Sequence, residues 1–182
     1  MSLIFLLVGA PAVGKSSTAK ALANRFPKSI HIPVDDLRDM VVSGLVYPGA
    51  DWSPELIEQL ALARNTAVQM ALDYSRAEFN VVIDDFWDPV SRLAEYDRLW
   101  ELPGATRVLL FPSQEAAEAR NLKRSGAEQA TGYIAEGIRL VYSSLSPEIE
   151  TLRSASWQIM DTTELSIDGA VDLILGLARR AS

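Results

Sequence analysis

Near the start of the chain an apolar run, Leu3 to Val8, passes directly into Gly9-Ala10-Pro11-Ala12-Val13-Gly14-Lys15-Ser16, and a helical pattern follows from Lys15. This is G-x-x-x-x-G-K-[ST] in the setting the motif requires, with a strand before it and a helix after it. The glycines let the backbone take positive φ, so that consecutive N–H groups converge on one point, and the new helix adds the positive end of its dipole. Such a nest holds an anion. The candidate nucleotide-binding residues are therefore Gly9, Ala10, Pro11, Ala12, Val13, Gly14, Lys15, Ser16 and Ser17. Lys15 is expected to reach the β and γ phosphates of a nucleoside triphosphate and Ser16 to place its hydroxyl on Mg²⁺. The alternative reading of the segment is a glycine turn that caps a helix.

Beyond this segment the apolar periodicity switches repeatedly between short β-like runs and longer helical ones, which predicts an α/β fold. Strands are predicted at Leu3 to Val8, Ser29 to Val34, Asn80 to Ile83, Thr106 to Phe111 and Trp157 to Met160. Each is short, apolar and bounded by turn or charged residues. Helices are predicted at Lys15 to Arg25, Pro54 to Tyr74, Val90 to Leu102, Gln114 to Arg124, Tyr133 to Leu145 and Ile167 to Arg180. Ser53, Ser113 and Ser166 stand where N-caps belong. Strands separated by helices imply a parallel sheet with right-handed crossovers, and such sheets bind ligands beyond the carboxyl ends of their strands.

Composition narrows the chemistry. The 182 residues show no break in composition and fit one domain. There is no cysteine and one histidine, so disulfides, thiolate metal sites, a cysteine nucleophile and multi-histidine metal sites are excluded. The apolar N-terminal run is too short for a membrane span and lacks a basic flank, so a cytoplasmic address and no membrane partner are expected. A net charge of −7 opposes a long non-specific grip on nucleic acid, which needs many cations against phosphates.

Two strand ends carry acids. After the second strand comes Val34-Asp35-Asp36-Leu37-Arg38. Phosphoryl transfer to an alcohol asks for a carboxylate that orients the hydroxyl and accepts its proton, and for a cation that holds the acceptor. Asp35 is the first candidate for the base and Asp36 the substitute, with Arg38 on the acceptor; the alternative is that both aspartates cap a helix beginning near Leu37. The third strand closes on Asp84-Asp85, the way a Walker B carboxylate is displayed toward Mg²⁺. Asp84 is favoured for the metal, and Asp85 is placed on the acceptor side.

Farther along, Arg120, Lys123 and Arg124 concentrate positive charge ahead of Gly126, as a mobile lid over a migrating phosphoryl group would. The alternative is a basic helix C-terminus. Thr162 follows the last strand, where a base contact or a plain turn would fit. Arg64 interrupts an apolar stripe formed by Ile57, Ala61, Val68 and Ala71. It is a candidate for the acceptor cleft, with a buried salt bridge as the alternative. His31, inside the second strand, is expected to be a hydrogen-bonded structural residue.

Taken together, Gly9 to Ser16, Asp35-Asp36-x-Arg38, Asp84 and Arg120 to Arg124 resemble a branch of the P-loop kinases that includes bacteriophage polynucleotide kinase, chloramphenicol phosphotransferase and zeta-toxin-like kinases. The resemblance runs from Leu3 to about Arg180. It implies a three-layer P-loop fold, with a five-stranded parallel sheet of order 2-3-1-4-5, helices on both faces and a short helical lid at about 120–132. It also implies ATP with Mg²⁺ as donor. In the polynucleotide kinase pattern the first aspartate of the D-D-x-R segment is the general base and the arginine contacts substrate, which places those roles on Asp35 and Arg38. The lid arginine of R-N-x-K-R falls on Arg124, with Arg120 beside the nucleotide. The resulting expectation is a kinase with a small-molecule hydroxyl acceptor. Its alternatives are a polynucleotide 5′-hydroxyl kinase and a nucleotide-dependent switch ATPase, the last weakened by the absence of an N-K-x-D signature. The oligomeric state stays open.

Overall fold

Strand β1, Ile4–Gly9, is apolar on both faces because both faces are covered: Phe5 to Val8 have no solvent exposure. The computed structural model that shows this describes residues 2–48, 52–88, 90–125 and 128–181; the side chains of residues 124–133 and 179–181 lie outside the description. The other strands are β2 (Ser29–Pro33), β3 (Asn80–Phe86), β4 (Ala105–Leu110) and β5 (Gln158–Met160). All pairings are parallel and the order is β2-β3-β1-β4-β5, the order expected.

The helices are α1 (Lys15–Ala23), α2 (Val34–Asp39), α3 (Pro54–Arg76), α4 (Gln114–Ser125), α5 (Glu128–Leu145), α6 (Ile149–Ser154) and α7 (Ile167–Ala181). α1 and α3 cover opposite faces of β3, because Asp84 bonds to Ser16 of α1 whereas its neighbour Asp85 bonds to Arg64 of α3. α1 also packs on α7. α3 starts on Ser53, whose hydroxyl accepts the N–H of Leu56, and Pro54 fills the first helical position. It buries Leu56, Leu60, Ala63, Ala67, Val68 and Ala71 along one stripe. No helix among the described residues is long and apolar enough to cross a membrane.

Three expectations change. The helix predicted over Val90 to Leu102 is only a short 3₁₀ segment, Ala94–Leu99. The Asp88 carboxylate accepts the N–H groups of Val90 and Ser91, and Arg92 and Leu93 take left-handed φ of 51° and 63°, which together prevent a helix from propagating. α2 begins at Val34, so Asp35 and Asp36 stand in its first turn. β3 runs on to Phe86, so Asp84 and Asp85 are strand residues with opposed side chains and do not follow the strand.

Candidate functional site

The loop between β1 and α1 has the backbone that its glycines forecast. Gly14 has φ 93°, and Ala12 joins it in left-handed space at φ 62°. At Gly9 the constraint is proximity: a Cβ there would lie 2.6 Å from the carbonyl oxygen of Leu110 and 2.9 Å from Cγ2 of Val13. Left-handed residues in a loop of this kind are what allow successive N–H groups to turn toward one concavity. Lys15 Nζ donates to the Ala10 carbonyl at 2.8 Å, folding the ammonium back along the loop. Across the loop, Gly137 of α5 faces Pro11 at 3.5 Å from the place a Cβ would take.

β-sheet register carries the acids to this loop. Leu7 of β1 pairs with Asp84 and Val8 with Asp85. Asp84 is 4% exposed, and its Oδ2 accepts the Ser16 hydroxyl at 2.7 Å while its Oδ1 lies 2.5 Å from His31 Nε2. Ser16 and Asp84 thus meet as expected. The partnership with His31 was missed, although strand alternation encodes it: His31 pairs with Val82, and Val82 and Asp84 lie on one face of β3.

Asp35 keeps 64% of its side chain exposed at the start of α2, and Asp36 is exposed beside it. Arg38, one turn on, is buried; its Nη1 stands 3.5 Å from Asp35 Oδ1 and its Nη2 donates to the Val46 carbonyl at 3.0 Å. Among the described residues its Nε is buried with no hydrogen-bond partner. Gln59 clamps the same turn, accepting from the Val46 N–H and donating to the Gly44 carbonyl.

Arg64 and Asp85 need correction. Both were placed at the acceptor cleft, and both have essentially no exposure. Arg64 takes the alternative role: Nε donates to Asp85 at 2.7 Å, Nη1 to Asp88 at 2.5 Å and to Ser91 at 3.1 Å, and Glu95 lies 3.5 Å away. Tyr96 donates its hydroxyl to Asp85. Burial works to lower the guanidinium pKa, but the carboxylates of Asp85 and Asp88 outweigh it and hold Arg64 charged. Burial pushes the Asp85 carboxyl up, opposed by Arg64 and Tyr96 and reinforced by the charge of Asp35, which places Asp35 within electrostatic reach of this network. Strand alternation explains the correction, since it turns Asp85 to the face that α3 covers.

Arg120 and Thr162 do come together. Arg120 donates to the carbonyls of Thr162 (2.7 Å) and Thr163 (3.1 Å) and reaches the Val13 carbonyl at 3.4 Å, tying α4 to the loop after β5 and to the phosphate-type loop. Beside this knot lies a cavity of about 110 Å³, lined by Gly14, Thr18, Arg120, Thr162, Leu165 and Ile167. Thr162 Oγ1 is buried there without a partner. Ser17 is exposed on the first turn of α1. The side chain of Arg124 and the segment at Gly126 lie outside the described residues.

A family model described as an AAA domain matches residues 4–147. The chain belongs to this AAA domain family. The match spans both the loop and the acidic strand ends. No curated protein matches the chain. Among solved structures, this AAA domain is similar over its whole length to shikimate kinase from Acinetobacter baumannii in complex with shikimate, with a TM-score of 0.67 at 12% identity, covering 99% of this chain and 94% of that one. Thymidylate kinase from Candida albicans gives a TM-score of 0.67 at 14% identity over 98% and 92% of the two chains. A gluconokinase from Sinorhizobium meliloti gives 0.63 at 19% over 99% and 93%. At these identities the likeness is one of fold.

Proposed function

We propose that this AAA domain is an ATP-dependent phosphotransferase that moves the γ-phosphoryl group to a hydroxyl of a small-molecule acceptor, in the manner of the polynucleotide kinase, chloramphenicol phosphotransferase and zeta-toxin branch. The observation that carries the reading is the 2.7 Å bond between Ser16 and Asp84 beside a loop that takes left-handed φ at Ala12 and Gly14. Its structural neighbours named above, a shikimate kinase, a thymidylate kinase and a gluconokinase, agree with it.

In this reading the N–H groups of residues 12–16, beyond Pro11, bind the phosphates, and Lys15 swings from the Ala10 carbonyl to the β and γ oxygens. Ser16 and Asp84 supply a hydroxyl and a carboxylate, hard oxygen donors that suit Mg²⁺. Among the described residues no group of three or more acidic or histidine side chains is built to hold a metal, so the cation would rely on phosphate oxygens and water for the rest of its shell. When bound, Mg²⁺ supplies charge neutralisation on the phosphate oxygens. Asp35 accepts the proton of the acceptor hydroxyl as that oxygen attacks the γ phosphorus, and the bond to the bridging oxygen breaks to leave ADP. Arg38, whose buried Nε lacks a partner, orients the acceptor. Arg124 stabilises the migrating group, and Arg120 with Thr162 borders the base.

The acidic balance of the chain favours a small acceptor over a polynucleotide. Incubation with γ-labelled ATP and either a metabolite panel or a 5′-hydroxyl oligonucleotide tests this. Label transferred to a metabolite supports the reading, and label on the oligonucleotide alone overturns it.

A further inference from the structure

The mechanism above uses Asp84 but leaves the chain's sole histidine without a task. His31 stands on β2, diagonally across from Asp84 on the same sheet face, with its Nε2 at 2.5 Å from Oδ1. The other carboxylate oxygen accepts the Ser16 hydroxyl at 2.7 Å. Asp84 is 4% exposed and the His31 side chain 18%, so few water molecules compete for the contact between them.

An ionised carboxylate only accepts hydrogen bonds, so Nε2 must be the protonated ring nitrogen in this contact. The bond therefore fixes the tautomer of His31 and, in return, the rotation of the Asp84 carboxylate about its Cβ–Cγ bond. With Oδ1 held by His31, Oδ2 is the oxygen left facing Ser16 and the phosphate loop. Without the imidazole, Oδ1 would be buried with nothing to accept from, and the carboxylate would turn to recover a partner. Ser16 is itself the candidate cation ligand, so such a turn would move both protein oxygens at once.

We propose that His31 is a positioning residue for cation binding: it locks the Asp84 carboxylate so that Asp84 and Ser16 present their oxygens as one preformed pair. The proposal rests on the reading of Ser16 and Asp84 as the cation-facing residues. Partners of this kind, one bond removed from a cation, typically change its affinity by about 10–100-fold when lost. They do so without touching nucleotide or acceptor.

The test is titration of Mn²⁺ into the full chain with a non-hydrolysable ATP analogue, followed by the free-ion electron paramagnetic resonance signal. His31→Gln retains an amide N–H near the Nε2 position, whereas His31→Asn is polar but too short to reach Asp84. His31→Asn should weaken Mn²⁺ binding by about 10-fold or more, with His31→Gln within about threefold of the unaltered chain. Thermal unfolding of the same samples reads stability separately. Equal Mn²⁺ affinity in all three chains, or equal loss in both variants, overturns the proposal. An unaltered chain that takes up the nucleotide analogue but no Mn²⁺ sinks the cation-facing role of Asp84 itself, and the proposal with it.

Discussion

Ser16 and Asp84 are hydrogen-bonded at 2.7 Å although 68 residues separate them in the chain. The contact exists because β1 and β3 are parallel neighbours in a register that sets Leu7 beside Asp84, while the loop after β1 folds back to start α1. A glycine-rich loop and an acidic strand are thereby joined by sheet register and the turn into α1. The predictions below follow from that arrangement and from its surroundings.

Asp35 is exposed and, among the described residues, is held by a long contact from Arg38, so its removal should not disturb the fold. Asp35→Asn should retain ATP binding and lower turnover by about 100-fold or more, as loss of a general base does. Parallel measurement of nucleotide affinity and of kcat separates the two effects.

Gly9 sits where any side chain would strike backbone. With a Cβ 2.6 Å from the Leu110 carbonyl oxygen, Gly9→Ala should force β1 and β4 apart or displace the loop. A cost of about 1–3 kcal/mol, read by urea unfolding, is expected together with lost nucleotide binding.

Among the described residues, Arg64 is the sole cation in a buried cluster with Asp85, Asp88 and, at the margin, Glu95. Arg64→Met leaves those carboxylates without a counter-charge and should destabilise the chain by about 3–5 kcal/mol, measurable as a lowered denaturant midpoint. Replacing the Tyr96 hydroxyl by Tyr96→Phe removes one bond to Asp85 and should cost about 1–2 kcal/mol.

Asp88 gives the pH dependence a sign. Burial alone would raise its carboxyl, but the bonds from Arg64, from the Val90 N–H and from Ser91 hold it below the ordinary carboxylate range. A group depressed in the folded state stabilises the fold above its unfolded value, and that contribution disappears as pH falls through the depressed one. The Asp88 contribution should therefore lower the melting temperature on the acid side, against an opposite contribution from Asp85, whose carboxyl is raised. Asp88→Asn should be less stable at neutral pH and show a flatter acid limb.

Much of this was legible from sequence for a physical reason. The phosphate-type loop is a local object: two glycines, a lysine and a serine at fixed spacing between a strand and a helix specify it without any distant partner. The five strands were legible because a parallel sheet covered on both faces needs uninterrupted apolar runs, as in Ile4 to Val8 and Val81 to Ile83. What escaped was set by pairs distant in sequence. His31 gave no sign of Asp84 until β2 and β3 were laid side by side, and the expectation that Asp85 lies on the acceptor side fails because strand alternation turns it away from Asp84 to the opposite face. The helix predicted from Val90 failed because the Asp88 carboxylate accepts the Val90 N–H and the Ser91 hydroxyl, closing a turn that Arg64 holds from beneath.

The most direct measurement is calorimetry of Mg-ATP binding to the folded chain and to Lys15→Ala. The account predicts one nucleotide per chain with the unaltered protein, and affinity and phosphoryl transfer lost together in the variant while its melting temperature holds. Well-folded protein that takes up neither Mg-ATP nor Mg-GTP, or a Lys15→Ala chain that transfers phosphoryl at the unaltered rate, would contradict it.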